Sequence, residues 1–405
     1  MRTQVAIIGA GPAGLMLGHL LHLQGIEAIV LETRSRDYVE QRVRAGVLEQ
    51  GTVDLLHETG LDQRMAKEGL VHQGIELGFN RKRLRIDMQE LTGKSVTVYG
   101  QNEVIKDLVK ARLAVGAAIE FEVESVSIDR LDSERPIVRY EKGGVTHEIA
   151  CDYIAGCDGF HGICRPSVPQ GALTTYEQVY PFGWLGILAD AAPSQEELVY
   201  MNHERGFALF SMRSPEVTRL YLQCDPAEDI KLWPDERIWE ELLTRLDCED
   251  GWKPNVGKVT QKSVTPMRSF VTEPMQYGRL FLAGDAVHIV PPTGAKGMNL
   301  AVSDIRVLAS ALTAFYQTGS KDLLASYSDT CLRRIWKVQR FSWWLTSLMH
   351  RFPDASPFDR RRQIAELDYL STSRAAAKSL AENYVGLPLD ISERTIFRAP
   401  AYSYK

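Results

Sequence analysis

Three glycines near the start of the chain have the spacing of a turn that binds a nucleotide pyrophosphate. Gly9, Gly11 and Gly14 follow an apolar run at residues 5–8. The first two glycines let the backbone turn tightly beside phosphate, and the third lets a helix pack close to the strand. Glu32 ends a second apolar run roughly 20 residues later, where an acid binds ribose hydroxyls. The pattern predicts a dinucleotide-binding strand–turn–helix unit, and the alternative is a glycine-rich turn without a ligand.

A second turn with glycine and an acid lies far along the chain. Residues 279–283 have the character of a buried strand that stops at Gly284 and Asp285, and a proline- and glycine-rich loop follows at 291–298. Asp285 can accept hydrogen bonds from ribitol hydroxyls, although a simple turn before a helix is the alternative. The helix predicted to begin near Asn299 would offer free N–H groups to the negative charge of a reduced flavin ring. Two such turns in one chain predict an extended FAD.

A predicted hairpin carries side chains suited to an aromatic carboxylate. Residues 207–213 alternate as a strand with Ser211 and Arg213 on one face, and Arg219 and Tyr221 share a face of the returning strand. A guanidinium with two O–H donors matches a carboxylate, because arginine pairs with it through two parallel hydrogen bonds. Taken alone, the same residues also fit a solvated hairpin.

The periodicity of the chain predicts a mixed α/β fold. Predicted elements are β-α-β over residues 1–72 with a helix around 53–67, strands at 77–88, 95–99, 121–149 and 151–156, helices at 104–114 and 235–246, and helix from 299 to 382. These predict a Rossmann-like FAD-binding domain that is discontinuous, at 1–175 and 266–330. An antiparallel-sheet substrate domain at 176–265 is inserted in it, and a C-terminal helical interface region occupies 331–405.

Composition excludes several functional classes. The chain has 405 residues and a net charge of −5, which disfavours nucleic acid as a partner. Its six cysteines show no C-x-x-C spacing, so we expect reduced thiols, a cytoplasmic protein and no metal site. No apolar run reaches the ~18 residues of a membrane span, and no signal peptide fits before the first strand.

Three motifs together identify a family resemblance. They are the glycine turn at Gly9, Asp158-Gly159 followed by Arg165, and Gly284-Asp285 before the Pro-Pro-x-Gly loop. The set resembles the class A FAD-dependent aromatic hydroxylases. Further similarity lies at 44–51, 152–162, 180–184, 288–296, 334–337, 341–344 and 382–388, and only the tail from about residue 391 has no counterpart.

The resemblance implies a flavin-dependent monooxygenase. It would hydroxylate 4-hydroxybenzoate at the 3-position to 3,4-dihydroxybenzoate with NADPH and O2, through a flavin C4a-hydroperoxide, and act as a homodimer. NADH is the alternative reductant, because Thr33 and Arg34 depart from the family pattern. Two other functions stay open. One is hydroxylation of another hydroxybenzoate such as 3-hydroxybenzoate, and the other is a flavin-binding redox sensor without hydroxylase activity.

The resemblance also assigns substrate residues. They are Ser211, Arg213 and Tyr221 for the carboxylate, Tyr200 for the phenol, Tyr384 and His72 for the proton path from the phenol to solvent, and Pro292, whose backbone carbonyl faces the substrate hydroxyl. Histidine suits a proton exit because its pKa lies near neutrality. Without the resemblance, Tyr200 is more simply a packed tyrosine, and His72 a surface or satisfied histidine.

Cofactor residues follow from the same resemblance. Those assigned to FAD are Gly9, Gly11, Gly14, Glu32, Arg42, Arg44, Val47, Gln101, Asp158, Arg219, Asp285, Lys296, Gly297 and Asn299. Those assigned to NADPH are Arg34, Tyr38, Arg42, Arg44, His161 and Arg268. Arginines suit NADPH because guanidinium groups bind its additional phosphate well.

Overall fold

The structure is a computed structural model that describes residues 1–44, 46–389 and 397. Its strands are β1 Val5–Ile8, β2 Ala28–Leu31, β3 Val47–Leu48, β4 Leu70–His72, β5 Gly74–Phe79, β6 Lys82–Asp87, β7 Val96–Val98, β8 Ile119–Glu120, β9 Glu124–Asp129, β10 Ile137–Lys142, β11 Val145–Ala150, β12 Tyr153–Gly156, β13 Thr174–Asp190, β14 Val199–Asn202, β15 Ala208–Met212, β16 Val217–Cys224, β17 Lys258–Glu273, β18 Gln276–Tyr277, β19 Leu280–Leu282 and β20 His288–Ile289.

The α-helices alternate with these strands in the first part of the chain and dominate the last. They are α1 Pro12–Leu23, α2 Arg36–Gln41, α3 Gln50–Glu58, α4 Met65–Glu68, α5 Met88–Thr92, α6 Gln101–Ala114, α7 Asp235–Arg245, α8 Gly297–Thr318, α9 Asp322–Ala325, α10 Tyr327–Met349, α11 Pro357–Thr372 and α12 Arg374–Val385. The helix predicted over 53–67 is therefore two helices. Gly60, with φ +73°, takes the left-handed conformation that ends a helix.

A six-stranded sheet carries the dinucleotide fingerprint. Its strand order is β18-β19-β12-β1-β2-β8, and β1 pairs in parallel with both β2 and β12. Every residue of β1 is buried, as expected for a parallel strand covered on both faces. Helix α1 follows β1 directly, with Pro12 in its first turn, and packs against α8 and α6. This arrangement confirms the predicted Rossmann-like fold.

An eight-stranded sheet forms the second large layer. Its order is β20-β17-β13-β16-β15-β14-β5-β6, and the pairs β13–β17, β13–β16, β15–β16 and β14–β15 are antiparallel. The sheet is not confined to the predicted segment 176–265, because β5 and β6 join it through a parallel pairing of β5 with β14. That pairing is between residues more than 100 positions apart, so local sequence patterns do not reveal it.

The C-terminal helices close the molecule over both sheets. Helix α10 packs against α8 and β14, and α12 packs against α5. Helix α8 is long and apolar enough to cross a membrane by length and composition, but 72% of its apolar window is buried inside the protein. It is the core helix that covers the parallel sheet beside α1.

One buried arginine ties the first strands of the nucleotide fold together. Arg112 of α6 is 2% exposed, and burial lowers the pKa of its guanidinium to about 10. It donates to the carbonyl of Gly18 at 2.9 Å, to that of Ala118 at 3.2 Å, and to that of Ala28. Gly18 leaves the space that the guanidinium fills, because a Cβ there would lie 2.7 Å from Nη1.

We expect Arg112→Ala to destabilise the protein by about 2–4 kcal/mol, because buried carbonyls would lose their donors. Urea unfolding followed by circular dichroism measures this. Lys110→Ala, on the exposed side of the same helix, is the matched control. A change of less than about 0.5 kcal/mol in Arg112→Ala would show that the carbonyls do not depend on it.

Candidate functional site

The glycine turn has the geometry that a pyrophosphate requires. Gly9 takes φ +105°, and a Cβ on Gly14 would overlap the Gly9 carbonyl. No atom lies within 4 Å of a Cβ built on Gly11, so the turn is open on that side. Gly11 caps α1 without any side-chain hydrogen bond, which leaves the N–H groups of the first turn free for phosphate oxygens.

Glu32 reaches back to this turn from the end of β2. Its carboxylate accepts the N–H of Ala10 and the N–H of Arg34, each at 2.8 Å. These bonds hold the acid beside the glycine turn and leave acceptor positions for hydroxyl groups. The structure therefore places Glu32 beside the glycine turn, and its role as a ribose-binding acid stays a prediction.

Asp158 and Asp285 follow two neighbouring strands of the same sheet, β12 and β19. Asp158 accepts the N–H of Cys164 at 2.8 Å, and its Oδ1 meets no hydrogen-bond partner in the part of the chain that the structure describes. Burial raises the pKa of this carboxyl group. Arg42 and Arg44 interact electrostatically with Asp285, which is exposed. A cofactor that supplies hydroxyl donors fits both acids.

The Gly284 turn is braced from the core. The Gly284 N–H donates to Asp304 Oδ2 at 3.0 Å, and His288 Nε2 lies 2.6 Å from the same oxygen. Asp304 lies on α8 and is 1% exposed. Helix α8 therefore positions the Gly284 turn through Asp304. The same helix begins directly after the proline-rich loop.

The residues at the start of α8 are near the predicted flavin site, but two of their side chains are already occupied. Lys296 donates to Glu49 at 2.7 Å and to the Tyr384 carbonyl at 2.8 Å. The Asn299 amide donates to the Val47 and Ala295 carbonyls at 2.9 Å and accepts from Glu49 and Thr52. These side chains are therefore not free for FAD. The backbone N–H groups of the first turn of α8, before Leu300, are available to it.

These observations fit FAD. The α1 turn suits a pyrophosphate, Glu32 suits a ribose, and the unpartnered oxygen of Asp158 suits a further hydroxyl group. Gln101 begins α6 directly after β7 and completes the predicted set.

A cavity opens beside the proline- and glycine-rich loop at 291–298, which is called the flavin loop below. Strands β14, β15 and β16 form one wall, where Tyr200 pairs with Leu209, and Leu209 pairs with Tyr221. The described lining residues are Gly46, Val47, Val98, Trp184, Leu198, Tyr200, Leu209, Ser211, Met212, Arg213, Arg219, Tyr221, Pro292 and Ala295. The lining contains two arginines and, among these residues, no carboxylate, so the cavity suits an anion.

Two guanidinium groups set the charge of this cavity. Burial lowers the pKa of Arg213, and the nearby charge of Arg219 lowers it further. Arg219 stacks 5.2 Å from the centre of the Tyr221 ring and donates to the Arg44 carbonyl at 3.2 Å. Its Nε has no hydrogen-bond partner within the described residues. The cluster that the sequence predicted from hairpin periodicity is thus assembled.

The phenol groups of Tyr200 and Tyr384 are in direct contact. Their oxygens lie 2.6 Å apart, and both residues are 1% exposed. Burial raises the pKa of both phenols. The pair can pass a proton, since each hydroxyl donates and accepts.

His72 differs from the expectation. It is 1% exposed, and neither of its ring nitrogens has a partner in the described part of the chain, so no direct bond joins it to Tyr384. Burial lowers its pKa to about 4. A histidine with a near-neutral pKa was the reason for expecting a proton exit here, and that reason was wrong because desolvation penalises the charged ring.

The residues predicted for NADPH form two groups at the surface. Tyr38 lies between two cations, with Arg34 5.4 Å and Arg42 5.8 Å from its ring centre. Separately, His161 packs on Phe160, and Arg268 lies 4.7 Å from the centre of the Phe160 ring. Arg268 also pairs with Glu177 at 3.1 Å.

Sequence analysis assigned no role to two residues at or beside the cavity. Trp184 lines the cavity and donates from Nε1 to His350 Nε2 at 2.7 Å, while burial lowers the pKa of His350 to about 3. Asn102 contacts Arg213 through a hydrogen bond. Each lies far in sequence from its partner, so neither spacing nor periodicity could have identified them.

An enzyme that oxygenates an aromatic acid needs a bound flavin beside a dry pocket that holds an anion and a phenol. This chain combines a glycine turn suited to a dinucleotide with a cavity lined by two arginines and two tyrosines, as the FAD-dependent aromatic hydroxylases require. The chain belongs to this family, since the FAD binding domain of the family matches residues 2–342.

Both sequence relatives and a solved structure support this family membership. The chain is 54% identical over 392 residues to a p-hydroxybenzoate hydroxylase of Acinetobacter baylyi, covering 96% of this chain and 97% of the relative. It is 26% identical to a probable NADH-specific resorcinol 4-hydroxylase of Rhodococcus jostii, covering 80% of this chain and 61% of that protein. The fold is similar to p-nitrophenol 4-monooxygenase from Pseudomonas putida, with a TM-score of 0.81 at 19% identity over 96% of this chain and 99% of that one.

We expect the purified protein to carry non-covalent FAD and Gly14→Val to lose it. Any side chain at position 14 would overlap the Gly9 carbonyl and displace the phosphate turn. The ratio of FAD to protein after heat release measures the effect. Gly25→Val is not a suitable control, because Gly25 takes φ +69°, a left-handed backbone conformation that a valine would strain. Gly51→Val, with open space around a Cβ, is the control. Full FAD content in Gly14→Val would contradict the assignment.

Proposed function

We propose that this protein hydroxylates 4-hydroxybenzoate at the 3-position to give 3,4-dihydroxybenzoate, with NADPH as reductant and O2 as oxidant. The observation that carries the proposal is the cavity wall. It combines Arg213, Ser211 and Tyr221 with the buried phenol of Tyr200, and its lining has arginines without an opposing carboxylate. An aromatic acid with a hydroxyl group matches this combination.

The para position of the substrate hydroxyl group is supported by the 54% identity to a p-hydroxybenzoate hydroxylase over 96% of the chain.

In the proposed mechanism, Arg213, Ser211 and Tyr221 hold the carboxylate and orient the ring. Bound FAD supplies the redox and oxygen-transfer chemistry. Tyr200 accepts the phenol proton while passing its own to Tyr384, since their hydroxyl oxygens lie 2.6 Å apart. Loss of the phenol proton makes the ring electron-rich at the carbon beside the oxygen, which favours electrophilic attack there.

The surroundings of this step support it. Pro292 lines the cavity; its carbonyl accepts the Ala295 N–H at 2.9 Å and keeps a second lone pair for the substrate hydroxyl. The proposed role of His72 as the exit of the proton path rests on the family resemblance alone, because the residue is 1% exposed and burial lowers its pKa to about 4. Apolar walls exclude water, which strengthens the polar contacts inside.

We assign the reductant to the arginine surface. Arg34 and Arg42 lie on either side of Tyr38 and offer guanidinium groups to the additional phosphate of NADPH. His161 and Arg268 are proposed to hold the rest of the nucleotide. Thr33 contributes no charge, so the preference rests on these arginines.

The remaining proposals concern location and assembly. We propose a cytoplasmic protein, supported by six cysteines that are all unpaired in the described residues. We also propose a homodimer that uses the helical region 331–405. Its support is an apolar surface on α10, where Trp336 is 42% and Trp343 is 53% exposed, seven residues apart on one face. The domain division 1–175 with 266–330, 176–265 and 331–405 also stays a proposal.

The proposed activity is tested by NADPH oxidation with product identification. We expect 4-hydroxybenzoate to stimulate oxidation and to yield 3,4-dihydroxybenzoate, with a higher kcat/KM for NADPH than for NADH. Parallel reactions contain 3-hydroxybenzoate. Product from 3-hydroxybenzoate alone would identify the related hydroxylase, and flavin reduction without any aromatic product would favour a redox sensor.

We expect Tyr200→Phe to retain FAD and bind 4-hydroxybenzoate but to form less product for each NADPH oxidised. The ring still packs, while the phenol loses its proton partner. Tyr140→Phe, a buried tyrosine in the separate β9–β11 sheet, is the matched control. Equal coupling in Tyr200→Phe and the wild type would remove Tyr200 from the proton path.

A further inference from the structure

Arg213 is held from outside the cavity by a residue of a different layer. Its Nη2 donates to Oδ1 of Asn102, the second residue of α6, while its Nη1 makes only a long contact of 3.4 Å with the Arg44 carbonyl. Asn102 is 8% exposed and does not line the cavity. The amide therefore contacts an edge of the guanidinium from outside the residues that line the cavity.

The orientation of the Asn102 amide is determined by its other partner. Nδ2 donates to Glu103 Oε1 at 2.8 Å, so the carbonyl oxygen is the atom that faces Arg213. Glu103 is itself bound by Arg64 at 2.6 Å and by Lys106 at 2.8 Å. A reversed amide would place N–H groups against a cation and the amide oxygen against the Glu103 carboxylate.

The backbone beside Asn102 is shaped for the same guanidinium. A Cβ on Gly100 would overlap the Arg213 guanidinium, so this group lies directly against the glycine. Gly100 is also the residue that caps α6. Contact with Gly100 and the bond to Asn102 together hold Arg213 in one orientation, with its remaining N–H groups available to the cavity.

We propose that Asn102 is the positioning and specificity residue for the substrate carboxylate. It orients Arg213 through a neutral acceptor and separates that cation from the carboxylate of Glu103. A charged acceptor in the same place would form an ion pair with Arg213 and compete with the substrate. The neutral amide keeps the positive charge of the cavity for the ligand. This inference rests on the proposed function, because it assumes that Arg213 binds the carboxylate.

Binding of a matched pair of ligands separates this role from a general structural one. Titration calorimetry of the FAD-loaded protein measures dissociation constants for 4-hydroxybenzoate and for neutral 4-hydroxybenzamide, which has nearly the same shape. We expect Asn102→Asp to weaken 4-hydroxybenzoate binding by about tenfold or more, because the new carboxylate would pair with Arg213 and compete with the substrate carboxylate. We expect little change for the amide.

Three further variants make the test specific. Asn102→Ala removes the acceptor without adding charge, and we expect about threefold weaker binding of the acid. Arg213→Ala gives the ratio of the two dissociation constants, for the amide and for the acid, that remains without the guanidinium. Asn255→Asp adds the same charge at an exposed position where the amide bonds only to the Ala192 carbonyl, and it should leave both ligands unaffected.

The outcomes are distinguishable. If Asn102→Asp retains FAD and binds the acid and the amide in the wild-type ratio, the inference is overturned. If Asn102→Asp loses FAD, the same criterion is applied to Asn102→Ala, so binding of the acid and the amide in the wild-type ratio again overturns the inference. A wild-type protein that binds 4-hydroxybenzoate no better than 4-hydroxybenzamide would overturn the proposed function itself. A reduced ratio in both Asn102 variants, between those of wild type and Arg213→Ala, supports the inference.

Discussion

The buried carboxylate of Glu49 is the interaction on which the two halves of the site depend. It lies 2.7 Å from Lys296 and 2.7 Å from Arg334, and all three side chains are largely or fully buried. Lys296 donates in addition to the carbonyl of Tyr384, and Gly386 fits against the Glu49 side chain. One carboxylate thus joins the flavin loop, α10 and the end of α12. Removal of one partner from such a buried group costs about 3–5 kcal/mol, because a charge is left uncompensated.

Burial then decides which groups in the site are charged and which are neutral. It raises the pKa of the Tyr200 and Tyr384 phenols and lowers that of His72, so all three are neutral at pH 7. Arg213 remains cationic although burial lowers its pKa, because a guanidinium holds its proton. The cavity therefore presents positive charge to an acid and neutral hydroxyl groups to a phenol.

The nucleotide fold could be predicted because its signals are local. Four residues separate Gly9 from Gly14, and Glu32 follows the next strand. The local backbone conformation therefore fixes the relative positions of these three residues. The predicted helix after the proline-rich loop begins at Gly297, two residues from the expected position. The sheet was underestimated, because β5 and β6 join it by pairing with β14 at a sequence separation that no periodicity reports.

The chain by itself determined the dinucleotide turns, the hairpin alternation that puts Ser211 beside Arg213, and the family resemblance that linked Tyr200 to Tyr384. These depend on backbone propensity, on period-two geometry and on motif identity. Tertiary structure alone decided which polar atoms were already satisfied. In the folded chain, the Lys296 and Asn299 side chains form hydrogen bonds with other protein groups. Burial lowers the pKa of His72, and Asn102 contacts Arg213. Desolvation and long-range hydrogen bonding depend on which distant segments meet, and residue type does not contain that information.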